Sequence, residues 1–73
     1  SYHEEILVMA GSKYKGVLIK ELNLPKDILI VSIQRKNETI IPHGETEIQI
    51  NDIIEVYGKN TDINFVKKLF EPD

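Results

Sequence analysis

This chain must build a hydrophobic core from 73 residues, and none of them is cysteine. A domain this short buries only about 60% of the surface that its unfolded chain exposes, so its margin of stability is thin. Neither a disulfide nor a cysteine-ligated zinc ion can strengthen the fold, and the usual remaining source of stability is a second subunit. We therefore expect a single domain, residues 1–73, that assembles as a homodimer.

The charge balance limits the range of partners. The chain carries 9 basic and 12 acidic side chains, a formal net charge of -3, whereas a domain that binds nucleic acid normally presents a basic face. No stretch approaches the ~20 apolar residues that a membrane-spanning helix needs. The first residue is Ser1 rather than methionine, and we expect the chain to be a piece of a longer protein.

The first third of the chain predicts one strand and one helix. Ile6–Ala10 is a short, partly β-branched apolar run closed by Gly11 and Ser12, which favours a strand. The apolar residues of Val17–Leu22 fall near helical spacing, and Pro25 prevents a helix from continuing much further. A short amphipathic helix is therefore expected after the first strand.

The run Ile28–Arg35 is the strongest strand signal, because β-branched residues dominate it. Alternation along a strand places Ile30, Ser32 and Gln34 together on one face. The first half of the run is apolar on both faces. This indicates that both sides are covered, either by a helix or by a second subunit.

The second half of the chain predicts three more strands and a closing helix. Lys36–Glu38 predicts a hairpin turn into Thr39–Pro42, and the proline restricts that strand to a sheet edge because it has no backbone N–H to donate. Glu47–Ile50 alternates strictly and Ile53–Tyr57 ends at a glycine, so each predicts a strand. Ile63–Phe70 has an apolar stripe at helical spacing. The predicted class is α+β, a small, mainly antiparallel sheet of about five strands with two helices.

Turn and helix-boundary residues form an ordered set along nearly the whole chain. The set consists of Ser12 and Gly16, Glu21-Leu22, Ile33-x-Arg35, Pro42, Gly44, Thr46, Asp52, and Val56-x-Gly58. In this set the chain resembles the TrkA C-terminal domain, the C-terminal domain of the potassium-conductance-regulator (RCK) family. Two positions depart from the family pattern, since Asn51 stands where glycine is most frequent and Val17 stands where lysine is common.

This resemblance implies a regulatory domain that is not an enzyme and needs no cofactor. In the family, the domain is a cytoplasmic module attached to the membrane transport domain of a potassium channel, a cation antiporter or a chloride-channel-like transporter. In one subset it is a homodimer that binds cyclic di-AMP (c-di-AMP) in a cleft between its two copies, formed around the second and third strands. The resemblance therefore implies control of potassium or other ion transport.

A dinucleotide made of two identical halves suits an isologous dimer, because one set of residues, repeated across the axis, contacts both halves. Each half needs an apolar floor for adenine and donors for the phosphate or the base edge. Aliphatic side chains, a proline and polar donors occur together on the second and third strands that the pattern predicts. The candidate ligand-binding residues are Ile30, Ser32, Gln34, Arg35, Ile40, Ile41, Pro42 and His43.

Structural alternatives remain open for these residues. The isoleucines suit the core of the sheet or a dimer interface as well as a ligand. His43 suits an exposed turn, and Arg35 suits a surface ion pair with Glu38 across the hairpin. Asp52 is expected to cap its own turn. The alternative function is a domain that dimerises and binds no ligand.

Enzymatic function has no support in the residue pattern. His3 and His43 are far apart in the sequence and lack the spacing of metal ligands. None of the three serines has the context of a nucleophile elbow, and Gly11 and Gly16 lack the residues of a phosphate-binding loop. We therefore predict no catalytic and no metal-binding residue.

Overall fold

A four-stranded sheet and one α-helix form the fold in the computed structural model, which describes residues 2–73. The elements are β1 (Tyr2–Leu7), β2 (Leu29–Arg35), β3 (Glu38–Ile40), β4 (Ile53–Gly58) and α1 (Asn60–Leu69). The sheet is antiparallel and its strand order is β1-β4-β2-β3, so β1 and β3 are the edges. Within residues 2–73 no helix has the length and apolar character to cross a bilayer.

The helix α1 covers one face of the sheet, where it packs on β1 and β4. Ile63 and Val66 recur at helical spacing and are buried, and Phe70, just beyond the helix, is buried with them. We call this covered side the core face. The buried apolar residues are Ile6, Val8, Leu22, Ile33, Ile48, Ile54, Val56, Ile63, Val66 and Phe70.

The opposite side of the sheet, which we call the outer face, carries exposed apolar side chains. The register places Leu7 opposite Ile53 and Leu29 opposite Tyr57, and all four side chains are exposed. No other element of residues 2–73 covers them. The outer face consists of His3, Glu5, Leu7, Leu29, Ser32, Gln34, Thr39, Ile53, Glu55 and Tyr57.

The predicted α+β class and antiparallel sheet are confirmed, but the predicted counts of five strands and two helices are wrong. Instead of a helix over Val17–Leu22, the chain forms only a 3-10 turn at Ile19–Glu21. Two backbone hydrogen bonds explain this, since the Ile19 N–H donates to the Thr46 carbonyl and the Ile48 N–H donates to the Val17 carbonyl, both at 2.9 Å. The Ile19 N–H and the Val17 carbonyl are thus used in pairing with residues 46–48 and are not available to an α-helix.

The same pairing removes the strand that was predicted at Glu47–Ile50. The segment pairs with residues 16–19 through an isolated bridge between Leu18 and Glu47, which lies outside the sheet. Ile48 is buried as the alternation predicted, while Ile50 is only half-buried. The alternating pattern therefore predicted the burial of Ile48 correctly, and it predicted membership of the sheet wrongly.

The first strand begins and ends earlier than the predicted Ile6–Ala10. β1 is Tyr2–Leu7, and the chain then leaves the sheet. The Val8 N–H donates to the Asp52 carbonyl at 2.8 Å, and the Met9 N–H donates to the Phe70 carbonyl at 2.9 Å. Val8 is buried in the core although it lies beyond the end of the strand, so its apolar side chain did not indicate that the strand continues.

The prediction that Ile30, Ser32 and Gln34 share one face is also wrong. The register between β2 and β4 shifts between Ile30 and Ser32, as a β-bulge requires. Ile30 is opposite Val56 on the core face, while Ser32 is opposite Glu55 on the outer face. One extra residue in β2 thus reverses the facing of every later residue in the strand.

The β2–β3 hairpin and its edge position agree with the prediction, but the predicted bounds of the second strand, Thr39–Pro42, are wrong, because the strand is Glu38–Ile40. Arg35 pairs with Glu38 across a two-residue turn, in which Lys36 has a φ of 56°. Such a left-handed residue is what a tight hairpin needs. β3 is an edge strand that ends at Ile40, and Pro42 lies in the loop that follows.

Candidate functional site

The loop after the edge strand β3 contains three of the candidate ligand-binding residues, Ile41, Pro42 and His43. Ile41 is 75% exposed, the highest value among the exposed large apolar residues of the part that the structure describes. Pro42 is half-buried, and its ring restricts the backbone on either side. The loop therefore presents an aliphatic side chain to its surroundings from a restricted backbone.

Hydrogen bonds inside this loop orient His43. Its N–H donates to Thr46 Oγ1 at 3.0 Å, and the Thr46 N–H donates to the His43 carbonyl at 3.0 Å. The ring Nδ1 accepts from the Glu45 N–H at 3.1 Å. In the neutral ring the proton is then on Nε2, so the exposed side chain presents an N–H donor.

Ser32 and Gln34 lie side by side on the outer face and both already make hydrogen bonds. Ser32 is buried, and its hydroxyl donates to Glu55 Oε1 at 3.0 Å. Gln34 Oε1 accepts from the hydroxyl of its cross-strand partner Thr39 at 3.0 Å. Because only the oxygen of Gln34 is used in that bond, its exposed NH2 group is the available donor.

Arg35 forms a bidentate ion pair with Asp52, and the predicted surface pair with Glu38 is wrong. Arg35 Nε donates to Asp52 Oδ1 and Nη2 donates to Oδ2, both at 2.8 Å. Nη2 also donates to the Glu47 carbonyl at 2.8 Å. The hydrogen bond with Asp52 is the main cause that raises the pKa of Arg35 above its usual value. Nη1 is left as the donor for a ligand.

Asp52 holds this arrangement together from inside the protein. It is 1% exposed, and besides both bonds from Arg35 it accepts the Gln49 N–H at 2.9 Å. That last bond caps the turn before β4, so the predicted capping role is confirmed, although Asp52 accepts from a residue before it rather than through the predicted Asx interaction. These three donors use most of the acceptor capacity of the two carboxylate oxygens. The hydrogen bonds therefore offset most of the cost of burying the charge of Asp52.

Ile30 and Ile40 serve mainly the core, because both are half-buried and pack against the buried cluster. The eight candidates thus divide between the core face, the outer face and the loop of residues 41–43. The largest of the three best-defined clefts in residues 2–73 has a volume of about 500 Å³ and contains only Arg35 among them. The candidates therefore do not line one cavity in the single chain.

Asp52 and Glu55 contact candidate residues, and the sequence reasoning did not find these contacts. Asp52 is 17 positions from Arg35, and Glu55 is 23 positions from Ser32. No local pattern marks a partner at such a distance. Only the adjacency of β2 and β4 in the sheet brings these side chains together.

The geometry defines the chain as a small α+β domain whose candidate site lies at a sheet edge. By sequence, the chain belongs to the TrkA-C domain family, whose model matches residues 3–71. This confirms the family that the turn residues indicated.

Two curated relatives are transport proteins. Over 68 residues, 93% of this chain, it is 37% identical to a Trk system potassium uptake protein TrkA homolog of Archaeoglobus fulgidus. Over 63 residues, 86% of this chain, it is 36% identical to the putative Na(+)/H(+) antiporter YjbQ of Bacillus subtilis. The chain spans only 16% and 10% of the lengths of these two relatives.

Two solved structures share the fold over nearly the whole chain. An RCK domain with cda superposes with a TM-score of 0.86 at 30% identity, covering 97% of this chain and 100% of the other. The RCK_C domain dimer of S. agalactiae BusR in complex with c-di-AMP has a TM-score of 0.83 at 27% identity, covering 96% of each chain.

Proposed function

We propose that this domain is a homodimeric sensor that binds c-di-AMP between its two copies and controls ion transport by a longer membrane protein. The observation that carries the proposal is the close likeness of the whole fold to the BusR domain dimer in complex with c-di-AMP. In the full-length protein the domain lies in the cytoplasm beside the membrane transport part, and potassium is the ion that its Trk relatives suggest.

The loop of residues 41–43 is the centre of the proposed site. Ile41 and Pro42 cover the faces of adenine, and the His43 Nε2–H donates to a phosphate or to a base edge. Gln34 and Arg35 each supply one further donor. Ile30 and Ile40 support the hairpin from the core, and Ser32, whose hydroxyl already donates to Glu55, supports it from the outer face. Two copies about a dyad repeat this set for the two halves of the ligand.

Ligand binding acts on transport by stabilising one of two arrangements of the paired subunits. A ligand at the shared axis stabilises the arrangement in which both copies contact it. The difference in binding free energy between the two arrangements shifts their populations. In the longer protein this shift biases the state of the transport domain.

Calorimetric titration with c-di-AMP tests the site directly. We expect saturable binding of one ligand per two chains, no comparable heat with c-di-GMP, and an affinity lowered about tenfold or more by His43→Ala, because the exchange removes a hydrogen bond to a charged ligand. His3→Ala is the matched control, since His3 is also exposed but lies on β1, and it should change the affinity less than twofold. Absence of both heat and thermal shift with the unaltered domain would defeat the ligand assignment and leave the family membership intact.

A second substitution separates the sensor from a domain that only dimerises. Ile41→Asp places a charge where we expect the two copies to meet, and sedimentation should show a shift toward monomer together with loss of c-di-AMP binding. Phe65→Asp, an exposed apolar position on α1, is the control and should retain both properties. If the unaltered domain dimerises but does not bind c-di-AMP, and Ile41→Asp abolishes the dimer, the domain is a structural dimerisation module and not a sensor.

A further inference from the structure

The outer face contains an acidic pair that breaks a local rule of sheet stability. Glu5 on β1 stands directly opposite Glu55 on β4, and like charges in that position are destabilising. Glu55 is partly compensated, because its Oε2 lies 2.6 Å from His3 Nε2 and its Oε1 accepts the Ser32 hydroxyl. Within residues 2–73, Glu5 makes no ion pair. Departures of this kind are expected where a surface has a function.

Apolar side chains lie on both sides of this acidic pair. On one side Leu7 pairs with Ile53, and these side chains are 47% and 38% exposed. On the other side Tyr57 is exposed and stacks with His3, with ring centroids 4.7 Å apart. A solvated sheet face is normally polar, whereas this one changes from apolar to acidic to aromatic along β4.

We propose that the outer face binds a basic amphipathic helix of a partner protein, with apolar residues toward both ends and a lysine or arginine between them. Ile53 and Tyr57 are four strand residues apart, about 13 Å. Eight or nine helical residues span the same distance, about 12 to 13.5 Å. Helix residues eight positions apart therefore reach both apolar groups, and the residue midway between them reaches Glu5 and Glu55 on the same helix face.

Charge favours this occupant over the other candidates. Stacking two copies about a dyad at the centre of their outer faces would bring the Glu5 and Glu55 carboxylates of both copies together, with only His3 on that face to compensate them. An anionic membrane surface meets the same repulsion. A lysine or arginine instead gives Glu5 the opposite charge that it lacks within residues 2–73, while Leu7 and Ile53 lose contact with water.

Synthetic peptides of about 14 residues provide the test. The probe is an alanine-based helix with two leucines eight positions apart and one lysine midway between them, and the control peptide has glutamate in place of that lysine. We expect the lysine peptide to shift the amide resonances of β1 and β4 and to bind at least tenfold more tightly than the glutamate peptide. Shifts confined to other parts of the domain, or equal binding of both peptides, would refute the proposal.

Glu5 is the residue on which the expected charge preference depends. Glu5→Lys should lower the affinity for the lysine peptide at least tenfold and leave c-di-AMP binding unchanged, while Glu38→Lys, an exposed position on β3, should leave the peptide affinity unchanged. Glu5→Gln should lower the affinity and raise the melting temperature by about 1–5 °C, because it relieves the like-charge pair. An unaltered affinity in Glu5→Lys contradicts the proposal.

Two further measurements test the competing occupants. If Leu7→Ser with Ile53→Ser weakens self-association of the domain in sedimentation and has no effect on peptide binding, the face is an interface between copies and the proposal fails. Flotation of the domain with anionic or zwitterionic vesicles, abolished by the same double substitution, would assign the face to lipid and also overturn it. Loss of peptide binding with an unchanged dimer and no flotation is the supporting result.

Discussion

Replacing Asp52 by alanine should destabilise the domain by about 3 kcal/mol, a large part of the stability of a chain this short. The substitution leaves the Arg35 guanidinium without its bidentate partner and leaves the Gln49 N–H without an acceptor. We expect the lower end of the range for a broken buried ion pair, because the Arg35 side chain retains 29% exposure and water can reach it. The shift in urea midpoint at constant m-value measures the effect.

Asp27→Ala is the control for this experiment, since Asp27 is an exposed aspartate in another turn, and it should change stability by less than about 0.5 kcal/mol. Combining Asp52→Leu with Arg35→Met should recover a good part of the loss, because an apolar pair of similar volume needs no charge compensation. If Asp52→Ala shifted stability by less than about 1 kcal/mol, the ion pair would not be what holds the β2–β3 hairpin to the turn before β4.

Phe70→Ala should cost about 3–5 kcal/mol and lower the melting temperature by more than about 12 °C. Phe70 is fully buried, packs edge-on against Tyr14 with ring centroids 6.2 Å apart, and closes the core beneath α1. Its removal leaves a cavity in the core. Thermal unfolding followed by circular dichroism gives the measurement.

The same substitution five residues earlier is the matched control. Phe65 is also in the closing segment but is 46% exposed, and Phe65→Ala should cost less than about 1 kcal/mol. Equal losses at the two positions would mean that α1 does not present the face to the sheet that the burial pattern indicates. The contrast also tests the helical periodicity from which α1 was predicted.

Elements whose evidence lies in a few consecutive residues were predictable. The β2–β3 hairpin follows from a β-branched run, a polar turn and a proline that excludes a central strand position. α1 follows from the spacing of Ile63, Val66 and Phe70. The family followed from turn residues spread along nearly the whole chain, and its model matches residues 3–71.

Elements whose evidence lies in distant contacts were not predictable in the same way. Val17–Leu22 is apolar at helical spacing, yet backbone groups at residues 44–48 pair with it and leave only a 3-10 turn. The bulge in β2 moved Ile30 to the core face and separated it from Ser32 and Gln34. Alternation alone has no means of indicating an inserted residue.

The amino-acid sequence determined which residues are apolar, where turns interrupt them and which family the chain joins. It did not determine partners across the sheet, because side chains 17 to 52 positions apart meet only when the order β1-β4-β2-β3 is complete. That strand order brings Arg35 into contact with Asp52 and His3 into contact with Glu55. It also placed Glu5 opposite Glu55, the juxtaposition from which the helix-binding face was inferred.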